Sequence, residues 1–158
     1  MDIIKIFESI REMPLQFPDN GKEDDFTCWG KHRILKSLLD SNDFSTRFRV
    51  CEFLWSEQKI PKRILGIPHY DKDYHLFLEV KIYNNWVIVD CTNDSKLPDF
   101  NKWDCKSNCK IAVKQKNILP VEEGDEIIAK QKQRFMKYFE QNKNFYAAMN
   151  KWLDSERK

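Results

Sequence analysis

The sequence predicts an α+β fold in which helices pack against an antiparallel β-sheet. Two patterns in the 158-residue chain point to it. Apolar residues recur at the three- and four-residue spacing of helices near both ends of the chain, and they alternate with polar residues in its middle, as they do along strands. A chain of this length is expected to form a single domain, here over residues 1–158.

The first part of the chain is predicted to be helix, loop, helix and strand. Residues 3–12 carry one apolar face, and a loop with two prolines and a glycine follows over residues 13–25. Thr27 is then predicted to be the N-cap of a second helix, which places Cys28 in the first turn. Residues 46–55 alternate in polarity and are rich in aromatic side chains, so they are predicted to form a strand.

The second part is predicted to hold a β-hairpin, a turn-rich stretch and a long helix. The hairpin spans Asp73 to Asp94 and is expected to turn at Asn84-Asn85. Residues 110–113 are predicted to be a further short strand. A C-terminal helix is predicted over about residues 125–156, because its apolar residues form one continuous stripe and acidic residues stand near its start, where the helix dipole favours them.

Composition and charge exclude several classes of function. The net charge is only +2, which gives no strong field for nucleic acid or a membrane surface, so neither is predicted as a partner. Four glycines are too few for the Gly-rich loops that cradle phosphates, and no cofactor is predicted. The N-terminus lacks the apolar run of a signal peptide and no segment approaches membrane-spanning length. A cytoplasmic location is therefore expected.

The five cysteines are an odd number without paired CxxC spacing, and they are expected to be free thiols in a reducing compartment. Cys91, Cys105 and Cys109 form the one group considered for metal binding, and no histidine is close to them in sequence. A metal-binding protein is therefore the last-ranked hypothesis, which metal analysis of the purified protein would test. No metal site is predicted.

Cys28 combines two features that suit a nucleophile. A thiol in the first turn of a helix lies near the positive end of the helix dipole and near unpaired backbone N–H groups, and both stabilise a thiolate. The same N–H groups can donate to a developing oxyanion. Taken alone, however, a cysteine at a helix start is more often a small apolar residue than a nucleophile.

The hairpin carries an imidazole and a carboxylate that could complete such a site. With a turn near Asn84-Asn85, His75 and Asp90 share one face of the hairpin. The register stays open: a strict two-residue turn pairs His75 with Asp94, whereas a four-residue loop pairs Phe77 with Asp90 and leaves His75 diagonal to it. Diagonal neighbours lie about 7–8 Å apart, within reach of a His–Asp hydrogen bond. Asp90 is thus the first candidate to orient His75, and Asp94 is the reserve.

A cysteine at a helix start, followed by a histidine and an aspartate on adjacent strands, resembles the transglutaminase-like branch of the papain-like cysteine enzymes. TCWGKHRILKSLLDSNDFSTRFRV looks like that family's nucleophile helix leading into a strand, and YHLFLEVKIYNNWVIVDCTND looks like its hairpin of histidine, aromatic, Glu-Val, then Trp-Val-x-x-Asp. The resemblance covers about residues 13–98. It departs from the family at Thr27, where a glycine is common, and at Cys91, where a proline is usual.

The resemblance implies a papain/transglutaminase-like core, with the nucleophile helix packed on the antiparallel sheet, and a role for each residue. Cys28 would attack an acyl carbon, His75 would take the thiol proton and give it to the leaving amine, and Asp90 would hold the imidazole. The backbone N–H of Cys28 would help to bind the oxyanion. Gln16 is nominated as a second donor, and Trp86 as a cover for the site.

The leading hypothesis is therefore a cysteine-dependent acyl-transfer enzyme that acts on peptide or carboxamide bonds of a protein, peptide or amide substrate. Hydrolysis is favoured over cross-linking, because no dense cluster with calcium-loop spacing appears. The alternative is a transglutaminase-like fold that serves as an inert protein-binding module. Substrate specificity is expected to depend on loops at about residues 14–26, 56–72 and 92–109. His32 is interpreted as a structural histidine and Cys51 as a core residue.

Overall fold

The structure of this protein is a computed structural model that describes residues 2–21 and 26–157. Residues 22–25 of the predicted loop lie outside the described residues. The elements are, in chain order, α1 (Ile3–Arg11), α2 (Cys28–Ser41), β1 (Thr46–Leu54), a single 3-10 turn (Trp55–Glu57), α3 (Lys62–Leu65), β2 (Lys72–Ile82), β3 (Asn85–Val89), β4 (Asn117–Ile118), α4 (Val121–Ala129) and α5 (Gln131–Glu156). The predicted α+β class and the long C-terminal helix are confirmed.

The sheet has the strand order β3-β2-β1-β4, and each neighbouring pair is antiparallel. The turn between β2 and β3 lies at Tyr83-Asn84, whose φ angles of 45° and 69° are in the left-handed region typical of tight hairpin turns. The turn predicted one residue later is therefore wrong. Leu78 pairs with Val89. One step further, this register sets Phe77 opposite Asp90, as in the second of the two predicted registers.

Both faces of the central strand β2 are buried, because helices cover both sides of the sheet. Leu78 and Val80 pack with Phe7 of α1 and Leu35 of α2 in one apolar cluster. On the opposite face, the next strand contributes Phe53, which packs in a second cluster with α5. All six residues from His75 to Val80 are buried. Polar side chains in this stretch must therefore find their partners inside the protein.

Two helix starts follow the capping rules seen in the sequence. The side chain of Asp2 accepts a hydrogen bond from the backbone N–H of Ile4 at the start of α1. At the start of α2, Thr27 Oγ1 accepts one from the backbone N–H of Gly30 at 3.3 Å. The predicted N-cap at Thr27 is confirmed, and Cys28 is the first residue of the helix.

Lys31, one turn into α2, joins three parts of the chain. Its side chain is fully buried. The ammonium donates to the backbone carbonyls of Arg11 at 2.9 Å, of Met13 at 2.7 Å and of Thr92 at 2.7 Å. Each of its three N–H groups thus has an acceptor, which is what a buried ammonium needs. The bonds fix the end of α1 and the segment after β3 against α2.

The C-terminal region differs from the sequence prediction in two places. A single helix over residues 125–156 is wrong, because α4 ends at Ala129 and Lys130, with φ −99° and ψ 2°, separates it from α5. Residues 110–113 do not form a strand, and β4 pairs with the edge of β1 instead. Gly124 lets α4 approach β1 closely, since a Cβ there would lie 3.4 Å from a methyl group of Val50.

None of the described helices has both the length and the apolar composition that crossing a membrane requires.

Candidate active site

The structure places Cys28 at the bottom of a cleft and at the N-terminus of α2. Its side chain is partly exposed, whereas the other four cysteines are buried. The backbone N–H groups of Cys28 and Trp29 have no hydrogen-bond acceptor among the described residues. A thiol at this position lies beside free N–H donors and the positive end of the helix dipole.

His75 connects Cys28 to Asp90. Its ring nitrogen Nε2 lies 2.7 Å from Asp90 Oδ2, and the imidazole also interacts with the Cys28 side chain. Because Asp90 occupies Nε2, Nδ1 is the nitrogen that remains for the thiol. The imidazole thus interacts with both the thiol and the carboxylate. The order of the groups is that of a nucleophile, a base and an orienting acid.

Asp90 is fully buried, and four groups besides His75 surround its carboxylate. Oδ1 accepts from the backbone N–H of Thr92 at 2.9 Å and from its hydroxyl at 2.6 Å. Oδ2 accepts from the backbone N–H of Ala112 at 2.8 Å, and His32 Nε2 lies 3.5 Å from Oδ1. Burial by itself raises the pKa of Asp90, but the His75 imidazole and these donors outweigh it and hold the pKa well below its ordinary value. Asp90 is therefore an anion at any pH near neutrality.

The pKa of His75 is raised, whereas that of Asp90 is lowered. Burial alone would lower it, but the Asp90 carboxylate and the Cys28 side chain together raise the pKa of His75 well above its ordinary value. A raised histidine pKa favours the imidazolium near neutral pH. The arrangement thus favours an imidazolium beside Cys28, which is the partner that a thiolate requires.

His32 lies next to the same carboxylate but is held differently. Its Nδ1 donates to the backbone carbonyl of Cys28 at 2.7 Å, and its Nε2 accepts from the backbone N–H of Cys91 at 3.0 Å. These two bonds fix the neutral tautomer with the proton on Nδ1. Burial lowers the pKa of His32 to about 4. The structural role assigned to His32 from the sequence fits this geometry, although the ring is fully rather than partly buried.

The cleft above Cys28 has a volume of about 1320 Å³. Parts of all three loops expected to shape specificity line it, within residues 15–18, 57–60 and 93–102. About half of the side chains along it are aromatic or aliphatic, and most of the others are polar or charged. A cavity of this size exceeds what a small metabolite fills and has room for a stretch of polypeptide.

Two residues considered from the sequence do not line the cleft. Gln16 is exposed and, like Trp86, is not among the residues that line the cleft in the described part of the chain. Trp86 pairs with Lys81 near the hairpin turn and packs under the guanidinium of Arg47, 4.2 Å from the ring centre. It stands four residues from Asp90 along the strand, roughly 13 Å.

Asp94, the reserve candidate, has a different partner. Its carboxylate forms an ion pair with Arg157 at 2.9 Å and accepts from the backbone N–H of Leu15 at 3.0 Å. Arg157 also donates to the carbonyl of Leu15 at 2.7 Å. Asp94 therefore fastens the end of α5 to the segment before α2, and Asp90 alone of the two aspartates contacts His75.

The cysteines considered for a metal do not form a cluster with a ligand geometry. Among the described residues, no group of three or more His, Cys, Asp or Glu side chains could hold a metal ion. The Cys109 thiol donates instead to the carbonyl of Lys102 at 3.2 Å, and Cys91 lies in the apolar cluster with α1 and α2. Burial raises the pKa of Cys109 to about 11, which keeps the thiol protonated.

Sequence reasoning missed one wall of the cleft, which α5 provides. Residues of α5 that line it recur at three- or four-residue spacing, and they include Gln131, Tyr138, Asn142, Tyr146 and Met149. The signal was present as a stripe that mixes amides and tyrosines with apolar residues, whereas a purely structural stripe would be apolar throughout. In the described part of the chain, Gln131 Oε1 is buried without a hydrogen-bond partner.

Comparison with protein-family models, with curated proteins and with solved structures finds no match to this chain in any of the three.

Proposed function

We propose that this protein is a cysteine-dependent acyl-transfer enzyme that acts on peptide or carboxamide bonds, and that its core is of the papain/transglutaminase-like type. The observation that carries the proposal is the His75 imidazole, which is hydrogen-bonded to Asp90 and interacts with Cys28 in an open cleft that Cys28 and His75 line. The position of Cys28 at the start of a helix supports the family resemblance, as does the antiparallel hairpin that presents the other two side chains.

The proposed reaction has two stages. The Cys28 thiolate attacks the acyl carbon, and the His75 imidazolium gives its proton to the leaving amine, so that an acyl-thioester and a free amine form. His75 then takes a proton from water, which attacks the thioester and releases a carboxylic acid and the thiol. An amine in place of water would give a new amide. Hydrolysis is the proposed outcome, because water needs no second binding groove.

The oxyanion formed in each stage needs hydrogen-bond donors close to Cys28. The backbone N–H of Cys28 is the first candidate, because it stands at a helix start without an acceptor among the described residues. The exposed position of Gln16 gives no support to its nomination as the second donor. The N–H of Trp29, also without an acceptor in the described chain, is the better candidate.

The pH dependence of Cys28 alkylation tests the proposal. Wild type and His75→Ala are treated with iodoacetamide between pH 5 and pH 9, and each cysteine is followed by mass spectrometry. We expect rapid modification of wild-type Cys28 at pH 6 and a rate on the order of 10²-fold lower in His75→Ala, because a free thiol is barely ionised at that pH. At pH 9 the two rates converge.

Two controls make the result specific. The buried thiols of Cys51 and Cys91 report on unfolding, since they react only if the protein opens. His69→Gln removes a histidine that stacks on Phe145, 4.1 Å away between ring centres, and it should leave the Cys28 rate unchanged. Modification of Cys28 only above about pH 8, equal in wild type and His75→Ala, would contradict the proposal and favour an inert binding module.

A further inference from the structure

A second, smaller groove opens beside the cleft, between the start of β2 and the junction of α4 with α5. Its volume is about 370 Å³. Three tyrosines form its walls: Tyr70 and Tyr138 stack with ring centres 4.2 Å apart, and Tyr74 lies across from them on β2. Tyr74 and Tyr138 also line the large cleft, so the groove adjoins it.

The charged side chains that line this groove all have the same sign. They are Lys72, Lys130, Arg134 and Lys137, and no acidic side chain lines the groove in the described part of the chain. The Arg134 guanidinium lies 4.6 Å from the ring centre of Tyr74, and Lys137 Nζ lies 5.2 Å from that of Tyr138. A lysine held over a tyrosine face in this way keeps its N–H groups available to an anion.

Two of the four cations have their charge neutralised by neighbours and two do not. Arg134 forms an ion pair with Asp73 at 2.8 Å, and Lys72 lies 3.5 Å from Glu52. Lys130 and Lys137 have no acidic partner among the described residues. A hydrogen bond with Tyr70 and the positive charges of Lys137 and Arg134 lower the pKa of Tyr138, as expected where the local field is positive. The chain as a whole has a net charge of only +2, so this field is local.

Gln131 lines the large cleft next to Lys130 of the groove. It stands one helical turn before Arg134, and it is 7% exposed. Its buried Oε1 has no partner in the described chain. A buried carbonyl oxygen left without a donor is costly, and a backbone N–H of a bound polypeptide is a donor that would satisfy it.

We propose that the groove binds an acidic side chain of a polypeptide substrate, so that the enzyme prefers acyl groups close to a glutamate or aspartate. The inference rests on the proposed function, since it assigns specificity to the same thiol site. Lys130 and Lys137 attract the carboxylate, the tyrosines pack against its methylene groups, and Gln131 accepts from the adjacent backbone. Charge complementarity of this kind selects among substrates more strongly than it raises affinity overall.

Binding to a Cys28→Ala variant tests the inference without any turnover. Fluorescence anisotropy is measured with a labelled (Glu-Gly)4 peptide and the matched (Gln-Gly)4 peptide at 0.15 M salt. We expect the acidic peptide to bind about tenfold more tightly or better, and its affinity to fall about tenfold in Lys130→Gln/Lys137→Gln. The control variant is Lys143→Gln/Lys151→Gln, which changes the net charge equally at two positions of α5 outside the groove. It should lose less than about twofold, since charges on the exposed face of a helix are screened.

Three results would overturn the inference. The two peptides could bind equally, the two double variants could lose affinity equally, or the acidic peptide could show no saturable binding at millimolar concentration. A thymidine oligonucleotide of the same net charge is the remaining comparison. If it binds more tightly than the acidic peptide and loses affinity in Lys130→Gln/Lys137→Gln, the groove is a nucleic-acid site instead. The alkylation experiment does not involve the groove, so failure of the thiol site and failure of the groove are separate results.

Discussion

Two buried histidines lie on either side of Asp90, and they differ in their hydrogen-bond partners and in the direction of their pKa shifts. Their ring centres are 6.2 Å apart, and neither exposes more than a few per cent of its side chain. His32 exchanges hydrogen bonds with two backbone groups, and burial lowers its pKa to about 4. His75 bonds a carboxylate and interacts with a thiol, and its pKa is raised well above the ordinary value although burial opposes this.

The difference shows that burial alone does not decide the charge of an imidazole. Backbone N–H and C=O groups satisfy both hydrogen-bonding nitrogens of a neutral ring, so desolvation has the larger effect on the pKa of His32. At His75 a carboxylate in direct contact outweighs the same desolvation. The charge of its partner thus separates His75 from His32, whose hydrogen-bond partners are both neutral backbone groups.

The largest expected effect comes from removing the charge of Asp90 while keeping its shape. Asp90→Asn can still bond His75 but no longer favours the imidazolium, which the proposed mechanism requires beside Cys28. We expect the rate of Cys28 alkylation by iodoacetamide at pH 6 to fall on the order of 10²-fold. Asp94→Asn is the matched control, because Asp94 contacts Arg157 and not His75. A comparable loss in Asp94→Asn would show that the two aspartates had been assigned the wrong roles.

The second-largest expected effect is in the free energy of unfolding, whose dependence on pH differs in sign between the two histidines. The folded-state pKa of His32 is about 4 and the unfolded value is about 6.5, so the unfolded chain binds more protons in this window. The free energy of unfolding should therefore fall by about 3 kcal/mol as the pH is lowered from 6.5 to 4, on the scale of about 1.4 kcal/mol for each tenfold change. Urea titrations at several pH values measure this slope.

The variant His32→Gln should flatten that acid slope, because no titrating ring remains between Cys28 and Cys91. His75 has the opposite sign: its raised pKa stabilises the folded state below pH 6.5, and this stability is lost as the pH rises through the folded-state pKa. His75→Gln should therefore flatten the alkaline side and leave the acid slope in place. An unchanged acid slope in His32→Gln would contradict the contrast drawn between the two rings.

The smallest expected effect is at Gln16 and Trp86, two residues that were nominated for the site from the sequence. Gln16→Ala and Trp86→Ala should change the alkylation rate of Cys28 by less than about twofold, because neither side chain lines the cleft and thiolate formation depends on the local partner. Iodoacetamide kinetics at pH 6 measure both. A tenfold lower alkylation rate of Cys28 in Gln16→Ala would indicate that Gln16 belongs to the site.

The candidate triad could be predicted from sequence to the extent that it depends on parity. Side chains alternate along a strand, so His75 and Asp90 share a face whichever even register forms. The choice between Asp90 and Asp94 depended on the turn, which the sequence suggested at Asn84-Asn85. The structure puts Tyr83 in the left-handed conformation, where a bulky aromatic residue is uncommon, and no local rule predicts that.

Helix positions were predicted best where a side chain caps the helix. Thr27 fixed the start of α2, whereas the break at Lys130 was missed because apolar spacing continues across it. The cleft wall on α5 and the buried Lys31 were missed for a related reason. Their partners are distant in sequence, and local periodicity contains no information about such contacts.

The ammonium of Lys31 also makes the site vulnerable to alkaline conditions. Burial lowers its pKa to about 8. The ammonium has three N–H groups, one for each of the three carbonyls, whereas the neutral amine has only two. Above that pH one carbonyl loses its donor, and the carbonyl of Thr92 belongs to the residue that also holds Asp90. Local opening behind the candidate triad is therefore expected at alkaline pH before the whole molecule unfolds.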